Sequence, residues 1–418
     1  MLGVDSFNMR IFTRNRVIVV VGVLALGTVL LSVHRRRVDK VWQEMLDTGA
    51  ELERSIDSLD GRRAVLYGKP LEGKAQEQYT LAIESLSESF SDDWKQYNTA
   101  REQGDEQATS LRDALVEANL AALGAISAGT HLSDASFDLD WASPAGQATP
   151  RIFAARNLVI LSIMTTHKLL ADGEYQAGGD TLLDGLQVAG DFMRSPLPSG
   201  QMIGCIMLEL VSVEALIEQG LLDRLPVNQL ERVSKAMDQL ITHMPSRQVA
   251  LGTEMAWFIR MMSVFTDSPF GLPNLGLGSE RSVGARYWFS FRLMVSEYVG
   301  EVMAWRASSA AFGEPSWGAW SAEFDERTSR MADLGNPLWE LFGFNLRKVV
   351  VKRRRCLTRF NMARLAVAYR LTGETIDLPD LFGDQLLVRL EGDQLRIDSV
   401  GPGDGSTSLE GLSIQAGI

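Results

Sequence analysis

The sequence predicts a mainly α-helical protein with three parts. These are a single N-terminal transmembrane helix, a body of α-helical hairpins in a solenoid-like or irregular bundle arrangement, and a small C-terminal β-hairpin tail. Three observations carry this reading. Residues 17–33 (VIVVVGVLALGTVLLSV) contain no charged side chain. From about residue 38 to residue 372, apolar residues recur mostly at three- and four-residue steps, which places them on one face of a helix. Past Gly373 the period falls to two: Leu386, Val388 and Leu390 alternate, Glu391-Gly392-Asp393 turns, and Leu395 and Ile397 alternate again.

The first 16 residues form a tail ahead of the apolar run. A 17-residue helix is about 25 Å long, a little short of a hydrocarbon core of roughly 30 Å. Arg14 and Arg16 on one side and Arg35, Arg36 and Arg37 on the other can reach the headgroups and make up the difference. A cleavable signal peptide is the competing reading, because Arg10, Arg14 and Arg16 make a good basic leader. The run passes straight into Ser32-Val33-His34-Arg35 without a small-x-small site, so an uncleaved anchor in a lipid bilayer is expected. Arg10, Arg14 and Arg16 face Arg35, Arg36, Arg37 and Lys40 across the span, so the positive-inside count leans slightly towards a cytoplasmic body or at best does not decide, and it is the C-terminal tail that tips the expectation to the periplasmic side. Met202–Ile217 is also apolar, but it is short and is interrupted by Glu209 and Glu214, so it is not expected to span.

The expected body follows in order. A helical stalk covers 34–128. It begins with a helix carrying Trp42, Met45, Leu46, Leu52 and Ile56, breaks at Tyr67–Gly73, and resumes as helices over about 75–89 and 105–128. A loop rich in Ser, Asp, Gly and Pro covers 129–150. The helical body, 151–372, opens with a hairpin of Ile152–Leu170 and Gln176–Met193 joined at Asp172-Gly173. Helices then run over Gln201–Gln219, from Pro226 with the stripe Leu230, Val233, Met237, Leu240 and Ile241, and over about 285–311. Residues 373–418 form the β tail.

Composition excludes several classes. With 418 residues, 45 % of them apolar and only two cysteines, the chain is neither disordered nor a disulfide scaffold. Its 41 Lys+Arg against 53 Asp+Glu give a net charge of −12, so no nucleic-acid partner is expected. Cys205 and Cys356 lack metal spacing, and His34, His131, His167 and His243 are scattered. The run Asp134, Asp138, Asp140 lacks the glycine and closing glutamate of a calcium loop. Neither a G-x-S-x-G elbow, a phosphate loop nor a dinucleotide fingerprint occurs. No side chain is assigned a catalytic role and no cofactor is expected.

The last helix, 345–372, carries nine basic residues and no acid. Lys348, Lys352, Arg355 and Arg359 fall on one face, which could meet an anionic partner. Arg353 and Arg364 fall on the apolar side and are expected to meet carboxylates as structural ion pairs, with Glu209, Glu214, Glu254 and Glu297 as the partners available in apolar stretches. The tail beyond it holds nine acids and two arginines, so opposite charge predicts that tail and helix dock.

Leu378-Pro379-Asp380-Leu381-Phe382-Gly383, the hairpin, and Ser399-Val400-Gly401-Pro402-Gly403-Asp404-Gly405 together resemble the C-terminal end of type II secretion major pseudopilins. Those end in a D-P-[WF]-G turn, a short hairpin and an S-x-G-x-D-G loop that can bind calcium. Here Leu381 replaces the usual proline, the final loop is one residue longer, and Asp404 is its only acid. Calcium at Asp398 and Asp404 is therefore the weaker expectation. The chain lacks a prepilin cleavage site, so it is not itself a pilin.

The chain as a whole resembles bacterial single-span, membrane-anchored helical proteins. The resemblance runs through Arg63–Ala75 with Tyr79, Phe137–Trp141, the hairpin 155–190, Asn336-Pro337-Leu338 and Arg364–Arg370. It implies an architecture and no established activity. The expectation is a membrane-tethered, non-enzymatic scaffold or adaptor in the inner membrane, with a periplasmic body and envelope protein partners, associated with a secretion or pilus-like assembly. The alternatives are a hydrolase-type enzyme with a site between helices, or a module binding anionic ligands through the basic helix.

Overall fold

The computed structural model describes residues 5–137, 149–196, 198–242, 247–267, 284–311, 316–334, 344–383, 385–392, 394–399 and 413–417, with the backbone alone at some helix positions, 5–25 among them. In chain order the elements are α1 (Asp5–Asp57), β1 (Leu71–Lys74), α2 (Ala75–Glu84), α3 (Phe90–Glu102), α4 (Gln107–Ala118), α5 (Leu120–Thr130) and β2 (Leu132–Asp134). There follow α6 (Thr149–Ala171), α7 (Tyr175–Met193), α8 (Pro198–Glu209), which runs on as a π-helical stretch Leu210–Glu218, then α9 (Leu221–Arg224), α10 (Val227–Thr242), α11 (Arg247–Asp267) and α12 (Gly284–Ala311). Last come α13 (Trp317–Asp333), α14 (Phe344–Thr372), β3 (Leu387–Glu391), β4 (Gln394–Asp398) and β5 (Ser413–Gly417). The protein is thus mainly helical, with two small sheets.

The C-terminal half of α1 buries Val38, Trp42, Met45, Gly49, Leu52 and Ile56 against α11 and α12. Their alternating four- and three-residue steps form the narrow seam of a coiled coil. At Gly49 the helices approach so closely that a Cβ would lie 2.7 Å from Ile259 Cγ2. Arg292 stacks 4.9 Å over the Trp42 ring and reaches Asp39 at 3.4 Å. The segment expected to be a stalk is therefore built into the body.

After α1 the chain runs as an extended strap that needs partners for its backbone donors and acceptors. The segment expected as a loop supplies them. Arg63 N donates to Ser133 O, Leu71 N donates to His131 O, and Gly61 O accepts from Ala135 N. β1 and β2 pair in parallel, so the 129–150 loop begins with the end of α5 and a strand. The helix expected over 105–128 is broken at Asn119. Its side chain donates to Leu115 O at 2.8 Å and accepts from Ser87 N at 2.8 Å, competing with the helix ladder.

α6 and α7 form the expected hairpin, turning at Gly173 with φ +82°. α8 lies against α7 at backbone contact, where a Cβ on Gly204 would sit 2.4 Å from Met193 N. Among the described residues, Ser199–Glu218 is the one helical stretch long and apolar enough to cross a membrane, and 78 % of its apolar window is buried inside the protein. It is a core helix close to the expected Gln201–Gln219, and its second half, Leu210–Glu218, is π-helical.

The tail forms the expected hairpin, with Glu391 opposite Gln394, and β5 adds a third antiparallel strand. It docks on α14 as charge complementarity predicted. The contacts include neutral ones: Thr358 Oγ1 accepts from Leu381 N at 3.3 Å and Asn361 Nδ2 donates to Pro379 O at 3.1 Å, while Phe382 meets Trp317 of α13 edge-on at 5.4 Å. Arg354 also donates to Leu381 O at 2.6 Å.

Candidate functional site

On α7, Asp180, Asp184, Gln187 and Asp191 follow at steps of four, three and four, which aligns them on one face. Most of that face is buried, so each polar group needs a partner. The strap, α2 and α5 provide them. Arg63 Nε lies 2.7 Å from Asp191 Oδ1 as an ion pair rather than an aligned hydrogen bond, and its two terminal nitrogens donate to the carbonyls of Thr130 and Gly129, each at 3.1 Å. Tyr79 donates to Asp191 Oδ2 at 2.5 Å, and Gln187 donates to Oδ1 at 3.0 Å while accepting from Leu66 N at 3.0 Å. Burial pushes the Asp191 carboxyl up from its ordinary range, with Arg63 pulling against it. Burial and the adjacent Asp191 push the Tyr79 hydroxyl far up.

Two turns before Asp191, Asp184 accepts from Tyr67 at 2.6 Å and from Thr130 Oγ1 at 2.5 Å. Burial raises this carboxyl to about 6. It forms part of the wall of an open groove of about 440 Å³ between α5, α6 and α7. His131 lines the same groove, its Nδ1 2.7 Å from Ser127 O and its ring edge-on to Tyr67 at 4.7 Å. Gly68, at φ +76°, lets the strap pass: a Cβ there would lie 2.7 Å from His131 Nε2.

A second groove, of about 650 Å³, opens beside the π-helical stretch. Arg224 donates to His167 Nδ1 at 3.0 Å, which leaves Nε2 to donate to Gln219 Oε1 at 2.7 Å, and Gln219 donates to Glu214 Oε1 at 3.2 Å. Burial lowers His167 to about 4 and raises Glu214.

The basic helix divides differently from the sequence expectation. Lys348 is exposed, Lys352 and Arg355 are half-buried, and Arg359 pairs with Glu209 and, at 3.0 Å, with Glu218. The four do not form one open face, because Arg359 turns inward to carboxylates on the helix below. Arg353 is buried and donates to Gln201 Oε1 at 3.0 Å. Arg364 pairs with Asp238 of α10 at 2.5 Å, since α10 rather than the glutamate-bearing α8 lies under that turn. Glu209 is thus an ion-pair partner, with Arg359 as its cation, while Glu214 bonds to Gln219. Glu254 is half-buried with no hydrogen bond or ion pair among the described residues, and burial raises it to about 7.

Among the described residues no three His, Cys, Asp or Glu side chains are grouped to hold a metal ion. Asp398 accepts from Arg396 Nε at 3.1 Å, while Asp404, with Asp138 and Asp140, lies outside the described residues. Sequence reading missed the α7 stripe. Its signal was there, as four polar residues at helical spacing within an otherwise apolar helix, and its partners Arg63, Tyr67 and Tyr79 all fall within segments singled out for resemblance.

Fold and site define a mainly helical protein with a buried polar stripe on a central helix and a small β cap on its basic last helix. Comparison with known families, with characterised proteins and with solved structures finds no match to the chain.

Proposed function

We propose that the protein is a membrane-tethered scaffold or adaptor, held in the inner membrane by residues 17–33, with its body on the periplasmic side and partners in a secretion or pilus-like envelope assembly. The observation that carries this is the division of α1. Leu26, Val29, Leu30 and Val33 are 58–61 % exposed, and from Val38 onward the same helix buries its apolar seam in the body. Apolar side chains exposed at successive turns, within an uncharged run, call for an apolar surrounding that the protein itself does not supply. Because the helix is unbroken from Asp5 to Asp57, the proposed span joins the body without an intervening loop. The tail resemblance at Asp380–Gly383 favours an envelope partner over a cytoplasmic one.

The test uses the full chain and a variant carrying Val29→Asp and Leu30→Asp. The wild type is expected to stay in the membrane pellet after alkaline extraction, and the variant to be released. A reporter fused after Ile418 is expected to be active only outside the cytoplasm. Mild detergent is expected to co-extract envelope proteins with the wild type. Release of the wild type by alkali, or a reporter active only in the cytoplasm, would overturn the reading.

A further inference from the structure

The groove beside Asp184 is short of hydrogen-bond donors. Asp184 is 6 % exposed, and both hydroxyls that reach it, from Tyr67 and Thr130, bond to the same oxygen, Oδ1. Oδ2 has no partner among the described residues and is not sealed off, so it opens to the groove that the residue lines. A carboxylate oxygen this deep is costly to leave without a donor. The other polar groups around it bond elsewhere, Ser127 to the Tyr67 hydroxyl. Ser162, Thr165 and Thr181 give their hydroxyl protons to the carbonyls of Leu158, Leu161 and Ala177 on their own helices. His131 is committed through Nδ1 to Ser127 O. Among the described residues no lysine or arginine lines the groove. Arg232, which bonds the groove residue Asp180, is also bonded to Gln229 and sits over the Tyr67 ring, 5.7 Å from its centre. Asp180 also lines the groove, but its carboxylate is already held by Arg232 and Gln176, so the cavity offers hydroxyl oxygens and Asp184 Oδ2 as acceptors, and a matching ligand must bring both positive charge and N–H groups.

We propose that this groove binds a small organic cation with a primary ammonium group, which donates to Asp184 Oδ2 and fills the space between α5, α6 and α7. Hydrogen bonding of this kind separates ammonium donors from quaternary ammonium ions, which carry the same charge without an N–H. The site is independent of where the chain is anchored, so it stands or falls separately from the adaptor reading.

Calorimetry on the full chain in detergent, at neutral pH and constant ionic strength, tests it with methylammonium and ethanolamine as probes and with tetramethylammonium and sodium as controls. Both primary amines are expected to bind saturably and to raise the unfolding temperature, and the controls to do neither. Asp184→Asn is expected to weaken binding by at least about tenfold, as loss of a charge-assisted acceptor does. Because that change also touches the bonds from Tyr67 and Thr130, Ala177→Leu serves as the second variant. It fills the groove from α7 without altering the carboxylate and is expected to abolish binding while unfolding as cooperatively as the wild type. Equal responses to tetramethylammonium and methylammonium, no saturable binding of either amine, or undiminished binding in either variant would overturn the proposal.

Discussion

His167 and Asp184 titrate in opposite senses, and each sense follows from what surrounds the group. The His167 ring is buried, accepts from Arg224 and donates to Gln219, a set of bonds that fits the neutral imidazole and holds it at about 4. The unfolded chain therefore takes up a proton below about pH 6.5 that the native state refuses, so stability falls as pH drops from there towards 4, by at most about 3 kcal/mol. Asp184, raised to about 6, does the reverse. The native state keeps a proton that the unfolded chain releases near its ordinary value, so this group's contribution is lost as pH rises through 6. In His167→Gln the urea midpoint should change less than in the wild type between about pH 6.5 and 4.5, because the group responsible is gone. An unchanged acid slope in the variant would mean that another group governs it. Neither residue stood out in the sequence, since their partners lie 52, 57 and 117 positions away along the chain.

At the scale of elements, legibility followed periodicity. The α1 seam was readable because Trp42, Met45, Leu52 and Ile56 repeat at helical steps, and the α6–α7 hairpin because Asp172-Gly173 punctuates it. The break at Asn119 was not, because one asparagine in a helical pattern gives the same local signal whether it points to solvent or bonds Ser87 and Leu115. The parallel β1–β2 pair was hidden for a related reason: three- and four-residue strands carry too few positions to show alternation. Gly49 was legible as a residue of the helix but not as a contact. Substituting leucine would drive a side chain into Ile259, and overpacking of this kind costs typically 1–3 kcal/mol. Gly49→Leu should therefore lower the urea midpoint of the body, while Ala50→Leu, one position round on the exposed face, should leave it nearly unchanged. Equal effects of the two changes would argue that α1 does not hold α11 through this seam.

Over the whole molecule, the net charge of −12 is arranged around the basic last helix. Arg359 joins Glu209 and Glu218 on the core helix, Arg364 reaches Asp238, Arg347 reaches Asp325 and Arg370 reaches Asp223, so α14 straps four other parts of the body as well as carrying the tail. The sequence showed the charge and the tail but not this division of labour, because a helical wheel places Arg359 with Lys348 without saying which helix lies beneath. If α14 is an internal strut, its basic residues differ sharply in worth. Arg359→Met leaves the Glu209 carboxylate, 15 % exposed, without its cation and should cost about 2–4 kcal/mol in urea unfolding. Lys348→Ala, on the exposed side, should stay within about 0.5 kcal/mol of the wild type. If α14 instead served mainly as an outward binding face, the two substitutions would matter about equally to stability, and salt-sensitive binding to anionic vesicles would be lost in Lys348→Ala while stability was kept. The direct comparison of these two variants, in unfolding and in vesicle binding, distinguishes a strut from a docking face. The half-buried pairing of Arg359 with Glu209 predicts the strut.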